Sequence, residues 1–280
     1  MKVVIQAGGK GMRLRPYTHV LPKQLLPVGS KPVLELLLRW LRRSGNRDIY
    51  VTTGYLGHLI RAFCGDGHDW DVHIRYSEET EPRGTIGALS LLREELDESF
   101  LVINGDVLTD LNLTAFARSH HASGASLSVA TMRRSVRVDF GVIEAERDQI
   151  AGFREKPSFS YLVSMGIYCM EPTILEHIPR EVAFGFDDLM LRMLEIKVPV
   201  NVFQHSGFWL DVGRIEDFQK AQEIDWEEGL RAMDDYSLPV LDAPQVPSPS
   251  MEAPGRGRRG VDRRGASGAR AMSSLVPSGG

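Results

Sequence analysis

The feature that most constrains this chain is a glycine loop directly after its first predicted strand. Apolar residues at positions 3–5 lead into Ala7, Gly8, Gly9 and Gly11. Glycine lets main-chain N–H groups come close to an anion, and nearby cations neutralise the anion's charge. Such cations follow at Lys10, Arg13, Arg15 and Lys23. The chain therefore begins with a strand and loop suited to a polyphosphate.

Two well-known phosphate loops differ from this one. A P-loop needs Gly, four residues and then Gly-Lys-Ser/Thr, and no such string occurs in the sequence. The dinucleotide fingerprint needs a third small residue, where this chain has Leu14. A glycine turn alone also fits an ordinary strand-to-helix connection, so the loop by itself leaves the ligand open.

Longer strings resemble the signature of the sugar-1-phosphate nucleotidyltransferases. Gly-Gly-Lys-Gly-Met-Arg-Leu-Arg-Pro at 8–16 is followed by Pro-Lys-Gln-Leu-Leu-Pro-Val at 22–28. Further matching motifs lie in the family's order at 81–89, 102–106, 153–157, 164–168 and 208–213. The resemblance implies transfer of a nucleotidyl group from an NTP to a sugar 1-phosphate or a cyclitol phosphate. Pyrophosphate is released and an NDP-sugar forms.

The predicted elements alternate as in an α/β protein. Strands at 3–5, 49–52, 72–76 and 100–103 are separated by helices at 32–45, 59–63 and 85–96. Strands at 141–145, 150–153 and 162–169 then follow with little helix between them. We expect a Rossmann-like, doubly wound mixed sheet with an inserted sugar-binding sheet region, in a catalytic domain of residues 1–235.

The last part of the chain differs from the rest in composition. Residues 236–280 are rich in Pro, Ser, Gly and Arg and contain too few apolar residues to offset the entropy of ordering. We predict a disordered tail there. Its arginines could contact nucleic acid, but a solvated tail fits the composition better, so we expect no nucleic-acid partner.

Bulk composition indicates an ordinary soluble protein, with 42% hydrophobic and 25% charged residues. The only cysteines, Cys64 and Cys169, are far apart and are predicted to be buried thiols rather than a disulfide or metal ligands. We find neither a long apolar run nor a signal-peptide pattern, and therefore expect a cytoplasmic protein with no membrane partner.

Two aspartates are candidates for a metal site. Asp106 follows the buried strand at 100–103, where open α/β sheets place their ligands, and Asp211 lies in an apolar string. Either aspartate alone is more typical of a turn or a helix cap. By resemblance, both hold one Mg²⁺ ion that contacts the α-phosphate and the sugar phosphate, and few oxygen ligands suit that ion.

The resemblance implies roles for other residues by position. The catalytic cations on the phosphates are Arg13, Lys23 and Lys156, where arginine supplies a planar fork and lysine a point charge. The nucleotide-binding residues are Ala7, Gly8, Gly9, Gly11, Glu79, Gly84 and Thr85. The sugar-binding residues are Gly141, Glu155 and Ser164. The neighbouring His120 and His121 lack partners at ligand spacing, and we expect both at the surface.

Departures from the family pattern bear on specificity. Met12, Arg83 and Ile86 replace residues that are usual in the family. Gln24 resembles the thymidylyltransferases, whereas Gly84-Thr85 and Ser164-Met-Gly are closer to the guanylyl- and uridylyltransferases. GTP is favoured, with UTP and dTTP left open. The family resemblance also suggests a homo-oligomer.

A catalytically silent paralogue that binds nucleotide sugars and regulates a partner is the alternative. Such a protein is expected to lack a metal aspartate or a catalytic cation, and this chain has all five.

Overall fold

A computed structural model describes residues 1–224 and 226, and its centre is a seven-stranded mixed sheet. The strands are β1 (Lys2–Ala7), β2 (Pro27–Val28), β3 (Lys31–Pro32), β4 (Asp48–Thr53), β5 (His73–Glu78), β6 (Phe100–Asn104), β7 (Val107–Thr109), β8 (Leu127–Arg137), β9 (Val142–Glu146), β10 (Gln149–Arg154), β11 (Ser158–Met170), β12 (Val200–His205) and β13 (Trp209–Asp211). The helices are α1 (Val33–Arg43), α2 (Gly57–Cys64), α3 (Gly84–Gly87), α4 (Leu113–Ser123), α5 (Phe186–Glu195) and α6 (Ile215–Gln222).

The order of strands in the large sheet is β12-β8-β11-β6-β1-β4-β5. Every neighbouring pair in it is parallel except the two that involve β11, which runs antiparallel to β6 and β8. The α/β class and the doubly wound mixed sheet predicted from the sequence are confirmed.

Helices cover both faces of this sheet. Side chains alternate along β1, so that Val3 and Ile5 join a core with α1, α2 and α4, while Val4 joins a core with α3 and α5. Full burial of one aliphatic side chain contributes about 1.5–3 kcal/mol. These two cores fix the ends of the strands, where the candidate site lies.

Helix α1 begins and ends as its sequence predicts. Pro32 is the residue before its first turn, in extended conformation, and Gly45 follows its end with a φ of 77°. A proline at the start and a glycine just past the end match the termini of an α-helix. Leu34, Leu37 and Leu41 on one face of the helix are fully or almost fully buried.

Two predicted elements differ from the structure. The helix expected at 85–96 is a short α3 followed by a 3-10 segment, Ala88–Leu92. The N–H groups of Ile86 and Gly87 both donate to Phe184 O, at 3.0 and 2.9 Å, which fixes this segment to the chain before α5.

The later strands are also grouped differently from our expectation. Of the three strands expected in the inserted region, β9 and β10 pair with each other in a separate two-stranded sheet, with Ile143 opposite Phe153. β11 instead joins the large sheet, because its buried end, with Ile167, Cys169 and Met170, pairs with β6.

The sheet places two loops side by side. From β1 the chain passes outward through β4 and β5, then returns to β6 on the other side of β1. Open α/β sheets bind ligands at such a switch point, beyond the carboxyl ends of the strands. Gly105 N donates to Gln6 O at 3.0 Å, so the loop after β6 adjoins the end of β1, from which the glycine loop leaves.

Three remaining sequence predictions concern burial, membranes and the tail. Cys64 and Cys169 are free and buried, as predicted, and burial raises the pKa of each thiol to about 12. None of the helices in residues 1–224 and 226 combines the length and apolarity needed to cross a bilayer. The predicted boundary at 235 and the predicted tail at 236–280 lie outside the described residues.

Candidate active site

Asp106 and Asp211 meet at the edge of the sheet although they are far apart in sequence. β7 and β13 pair antiparallel with Val107 opposite Asp211, and Val212 N donates to Asp106 O at 2.9 Å. Burial and the Asp106 carboxylate raise the pKa of Asp211, against the opposing effect of Lys23 and Arg13. Two carboxylates therefore share a low-dielectric position beside two cations.

The Asp106 carboxylate is only partly paired. Its Oδ2 accepts from the Lys23 ammonium, whereas its buried Oδ1 has no hydrogen-bond partner. Gln24, which packs against Gly105, is fully buried and its amide also lacks a partner. Buried polar atoms without partners are unfavourable, and a bound polar ligand or cation satisfies them.

The carboxylate pair fits a divalent cation. Within the described part of the chain, no group of three or more His, Cys, Asp or Glu side chains is arranged to hold a metal ion. Two carboxylates are still sufficient protein ligands for Mg²⁺, which commonly takes its other ligands from phosphates and water. The orphaned Oδ1 of Asp106 is the structural feature that fits such an ion.

The glycine loop brings its cations to this pair. Gly11 has a φ of 59°, and an added Cβ there would lie 2.9 Å from Thr18 Cγ2. The next turn, Met12–Leu14, is anchored by the fully buried Leu14. A Cβ built on Gly213 would lie 3.0 Å from Asp211 Oδ1 and 3.3 Å from Arg13 Nη2, so the Arg13 guanidinium adjoins Asp211.

The other predicted nucleotide-binding residues line the same loop. Ala7 is buried at the end of β1, and a Cβ on Gly9 would meet nothing within 4 Å. A Cβ on Gly8 would lie 2.1 Å from Glu79 Oε1, which shows that the Glu79 carboxylate faces the bare loop backbone. Burial raises the pKa of Glu79, and its Oε2 accepts from Arg83 N at 3.0 Å.

Gly84 and Thr85 are held by the chain before α5. Gly84 has a φ of 75°, and a Cβ there would lie 2.7 Å from Phe184 O. Thr85 Oγ1 accepts from Phe186 N at 3.0 Å, and Thr85 O accepts from the Gln6 amide. These contacts connect Thr85 with β1 as well as with α5.

The predicted sugar-binding residues fall in two places. A Cβ on Gly141 would lie 2.6 Å from the Phe153 ring and 3.3 Å from Glu155 Oε2. The Lys156 ammonium is 3.9 Å from Glu155 Oε1, and Lys156 has a φ of 44°. Gly141, Glu155 and Lys156 thus lie together at the β9–β10 hairpin, where Lys156 pairs with Glu155.

Ser164 lies on β11, away from the β9–β10 hairpin. Its Oγ donates to Tyr168 OH at 3.2 Å and accepts from Gly166 N at 3.2 Å. Burial raises the pKa of Tyr168 to about 12, and the Asp211 carboxylate adds to this effect. Tyr168 is therefore bonded to Ser164 and lies within the electrostatic influence of Asp211.

Sequence reasoning missed the surroundings of Trp209. The Arg134 guanidinium lies 4.9 Å from the centre of the Trp209 ring, and the indole N–H donates to Met165 O at 2.9 Å. Trp209 is two residues before Asp211, so Arg134 is a further cation near the site. The arginine-rich stretch at 133–137 was the only sequence signal for it.

The expectation for one histidine is wrong. His120 is 1% exposed, with Nδ1 at 2.7 Å from Ser128 Oγ and Nε2 at 3.0 Å from Glu171 Oε1. Its partners lie outside α4, on β8 and just after β11, which is why the spacing within the predicted helix did not indicate them. The neighbouring His121 is exposed as expected.

The doubly wound sheet, with a glycine loop after β1 and an aspartate after β6, defines a Rossmann-like α/β protein. Residues 2–228 match the family model described as Nucleotidyl transferase, and the chain belongs to that family. This confirms the resemblance drawn from the sequence motifs.

Relatives of the chain differ in the nucleotide that their names contain. The UTP--glucose-1-phosphate uridylyltransferase of Synechocystis sp. is 32% identical over 241 residues, which cover 79% of this chain and 62% of the relative. The D-glycero-alpha-D-manno-heptose 1-phosphate guanylyltransferase of Aneurinibacillus thermoaerophilus is 28% identical, over 80% of this chain and 97% of the relative. This chain thus matches less than two thirds of the first relative's length.

A solved structure shares the fold. HddC from Yersinia pseudotuberculosis, in a crystal structure complexed with GMP-PN, superposes with a TM-score of 0.62 and 26% identity. The match covers 79% of this chain and 98% of that chain.

Proposed function

We propose that this chain transfers a guanylyl group from GTP to a sugar 1-phosphate or a related cyclitol phosphate, forming a GDP-linked product and pyrophosphate. The observation that carries the proposal is the meeting of Asp106, Asp211, Lys23 and Arg13 at the switch point of the sheet. Membership of the nucleotidyltransferase family supports it. Cations and carboxylates in one place suit a reaction between two anions.

The chemistry needs positioning and charge neutralisation more than proton transfer. An acceptor phosphate oxygen forms a bond to the α-phosphorus while the bond to pyrophosphate breaks, and the attacking oxygen is already ionised. Arg13 offers a planar fork to phosphate oxygens, and Lys23 a single strong charge. Preorganised cations stabilise the developing charge on the leaving group.

Asp106 and Asp211 are the residues proposed to hold Mg²⁺. The bound ion would supply charge neutralisation at the α-phosphate and the acceptor phosphate. Lys23 already pairs with Oδ2 of Asp106, which leaves Oδ1 as the oxygen without a partner. This division assigns the lysine and the ion to different oxygens of one carboxylate.

The preference for GTP follows from the chemistry of Glu79. Guanine presents two adjacent donors, its N1–H and its 2-amino group, whereas uracil and thymine present one N–H between two carbonyl oxygens. A carboxylate accepts from the first arrangement and repels the carbonyl oxygens of the second. Glu79 faces the glycine loop at Gly8, where the base is proposed to bind.

The acceptor is proposed to bind at the β9–β10 hairpin and β11. Glu155 would accept bonds from hydroxyl groups, Gly141 would allow close approach, and Lys156 would neutralise the acceptor phosphate. Ser164 supports the same side through Tyr168. Cytoplasmic location, a homo-oligomer and a catalytic domain of residues 1–235 are further parts of this proposal, whereas nothing in the comparisons favours a silent paralogue.

The experiment is pyrophosphate release with Mg²⁺, crossing GTP, UTP, dTTP, ATP and CTP with several sugar 1-phosphates. We expect turnover with GTP and its loss in Asp106→Asn. Asp71→Asn, in which an exposed acid paired with Arg42 and Arg47 loses its charge, is the matched control. A preference for UTP would overturn the base assignment, and full activity of Asp106→Asn would overturn the site.

A further inference from the structure

The turn that leads into β13 is fixed by an aspartate outside the proposed site. Asp110 Oδ1 accepts from Phe208 N at 2.7 Å and from His205 Nε2 at 2.7 Å. Because a carboxylate only accepts, the proton of this second bond is on His205 Nε2. One carboxylate oxygen therefore connects the end of β12 with the turn that follows it.

Neighbouring contacts tighten the same turn. Thr109 Oγ1 donates to Phe208 O at 2.7 Å and accepts from Leu111 N at 3.1 Å. A Cβ added to Gly207 would lie 2.4 Å from Asp110 Oδ1 and 2.7 Å from His205 Cε1. The turn thus packs closely against the Asp110 carboxylate.

This turn lies at one end of the strand pair that carries the two site carboxylates. Trp209 pairs with Thr109 and Leu210 with Leu108, and at the other end Asp211 pairs with Val107, next to Asp106. A two-stranded sheet of three residues a strand has little stability of its own. The contacts at its ends therefore decide how firmly Asp211 is held.

Holding Asp211 beside Asp106 is unfavourable in the absence of a cation, because burial and like charge both oppose ionisation of the pair. A strand free to move would separate the carboxylates and relieve the repulsion. A strand fixed by Asp110 keeps them in the arrangement that a divalent cation needs. Such preorganisation increases affinity by removing the cost of ordering on binding.

We infer that Asp110, with His205, is a positioning pair that holds Asp211 against Asp106 and so sets the affinity of the site for a divalent cation. This inference rests on the proposed function, since it concerns the same carboxylates. Asp110 acts through the backbone of Phe208 and the β7–β13 pairing, and its own side chain is 58% exposed.

The test is the affinity of the full chain for Mn²⁺, measured by electron paramagnetic resonance with a non-hydrolysable GTP analogue present. Asp110→Ala should weaken Mn²⁺ binding by about tenfold, the lower end of what loss of a supporting contact costs a metal site. Asp110→Asn keeps an oxygen for Phe208 N and should fall between Asp110→Ala and the wild type. Asp71→Asn is again the charge-matched control and should bind as the wild type does.

Turnover gives a second, separable readout. In Asp110→Ala, excess Mg²⁺ should restore kcat, because the ligands themselves remain. Circular dichroism checks that each variant folds, and His205→Leu serves if Asp110→Ala does not fold. If Asp110→Ala and His205→Leu fold and bind Mn²⁺ as tightly as the wild type, the inference is overturned and the proposed function is not affected. Absence of Mn²⁺ binding in the wild type would overturn the metal site of the proposed function as well.

Discussion

The Lys23 ammonium pairs with one oxygen of Asp106 and leaves the other oxygen buried without a partner. The lysine therefore neutralises part of the charge at the site before any ligand binds. Asp211 adds a second carboxylate, which Arg13 balances only in part. The site carries an electrostatic cost that depends on pH and on a bound cation.

Protonation of Asp211 should affect stability and turnover in opposite directions. Burial and Asp106 raise the pKa of Asp211 from 3.8 to about 6. In this range Asp211 binds a proton in the metal-free folded protein and not in the unfolded chain, so its contribution to stability rises as pH falls from above 6 towards 4. Turnover should fall over the same range, because a protonated Asp211 is a poor ligand for Mg²⁺.

Thermal unfolding and initial rates above and below pH 6 measure both effects. Asp211→Asn should remove the contribution of Asp211 to the pH dependence of metal-free unfolding in this range. It should also unfold at a higher temperature than the wild type at neutral pH. Equal pH profiles for the wild type and Asp211→Asn would contradict the prediction.

Glu79→Gln should change base selectivity. An amide can donate to a pyrimidine carbonyl oxygen and no longer repels it, while guanine loses a charged acceptor. Hydrogen bonds to charged groups are worth about 1.5–3 kcal/mol, so the ratio of kcat/KM for GTP over UTP should fall by at least about tenfold. Competition between the two nucleotides measures the ratio, and Glu78→Gln, an exposed neighbour, is the control. An unchanged ratio would show that the base is read elsewhere.

Gly84→Ala should destabilise the fold more than Gly45→Ala. Both glycines have a φ near 75°, so each alanine incurs the strain of the left-handed region, about 1 kcal/mol. Only at Gly84 does the new Cβ also meet backbone, at 2.7 Å from Phe184 O, whereas Gly45 faces open space. We expect a loss of about 3 kcal/mol for Gly84→Ala. Chemical denaturation gives both values, and equal losses would show that strain alone matters.

His120 should make stability sensitive to mild acid. Burial lowers the pKa of His120 despite the opposing effect of Glu171, so the fold disfavours the charged imidazole. The contribution of neutral His120 to the stability of the fold is fully present above 6.5, the pKa of histidine in the unfolded chain. It is lost as pH falls below that pKa. His120→Gln should flatten that dependence and His121→Gln should not. Urea midpoints on either side of pH 6.5 provide the comparison.

The spacing of apolar residues along the sequence correctly predicted those helices and strands whose buried residues are neighbours in sequence. The leucines of α1 recur at helical spacing between Pro32 and Gly45, and β6 is an uninterrupted apolar strand. The burial of the Cys64 and Cys169 thiols was also predicted from the sequence. Such elements are determined by their own residues, and the structure confirms them.

Arrangements that depend on distant residues were not predictable in the same way. His120 is buried because Ser128 and Glu171 satisfy its ring, and both partners belong to other elements, β8 and the residue after β11. The helix expected at 85–96 is instead a short α3 followed by a 3-10 segment, and its start is bonded to Phe184, which is distant in sequence. Asp106 and Asp211 were singled out by their motifs, but the turn held by Asp110 that positions them required the structure.

Lys156 has a φ of 44°, a conformation that costs a lysine about 1 kcal/mol and glycine almost nothing. Glycine or asparagine would therefore fit this backbone better than the residue that the chain carries. A library of variants ranked by thermal stability alone would place Lys156 among the first positions to replace. The most stable members of such a library would then lack the charge proposed to hold the acceptor phosphate.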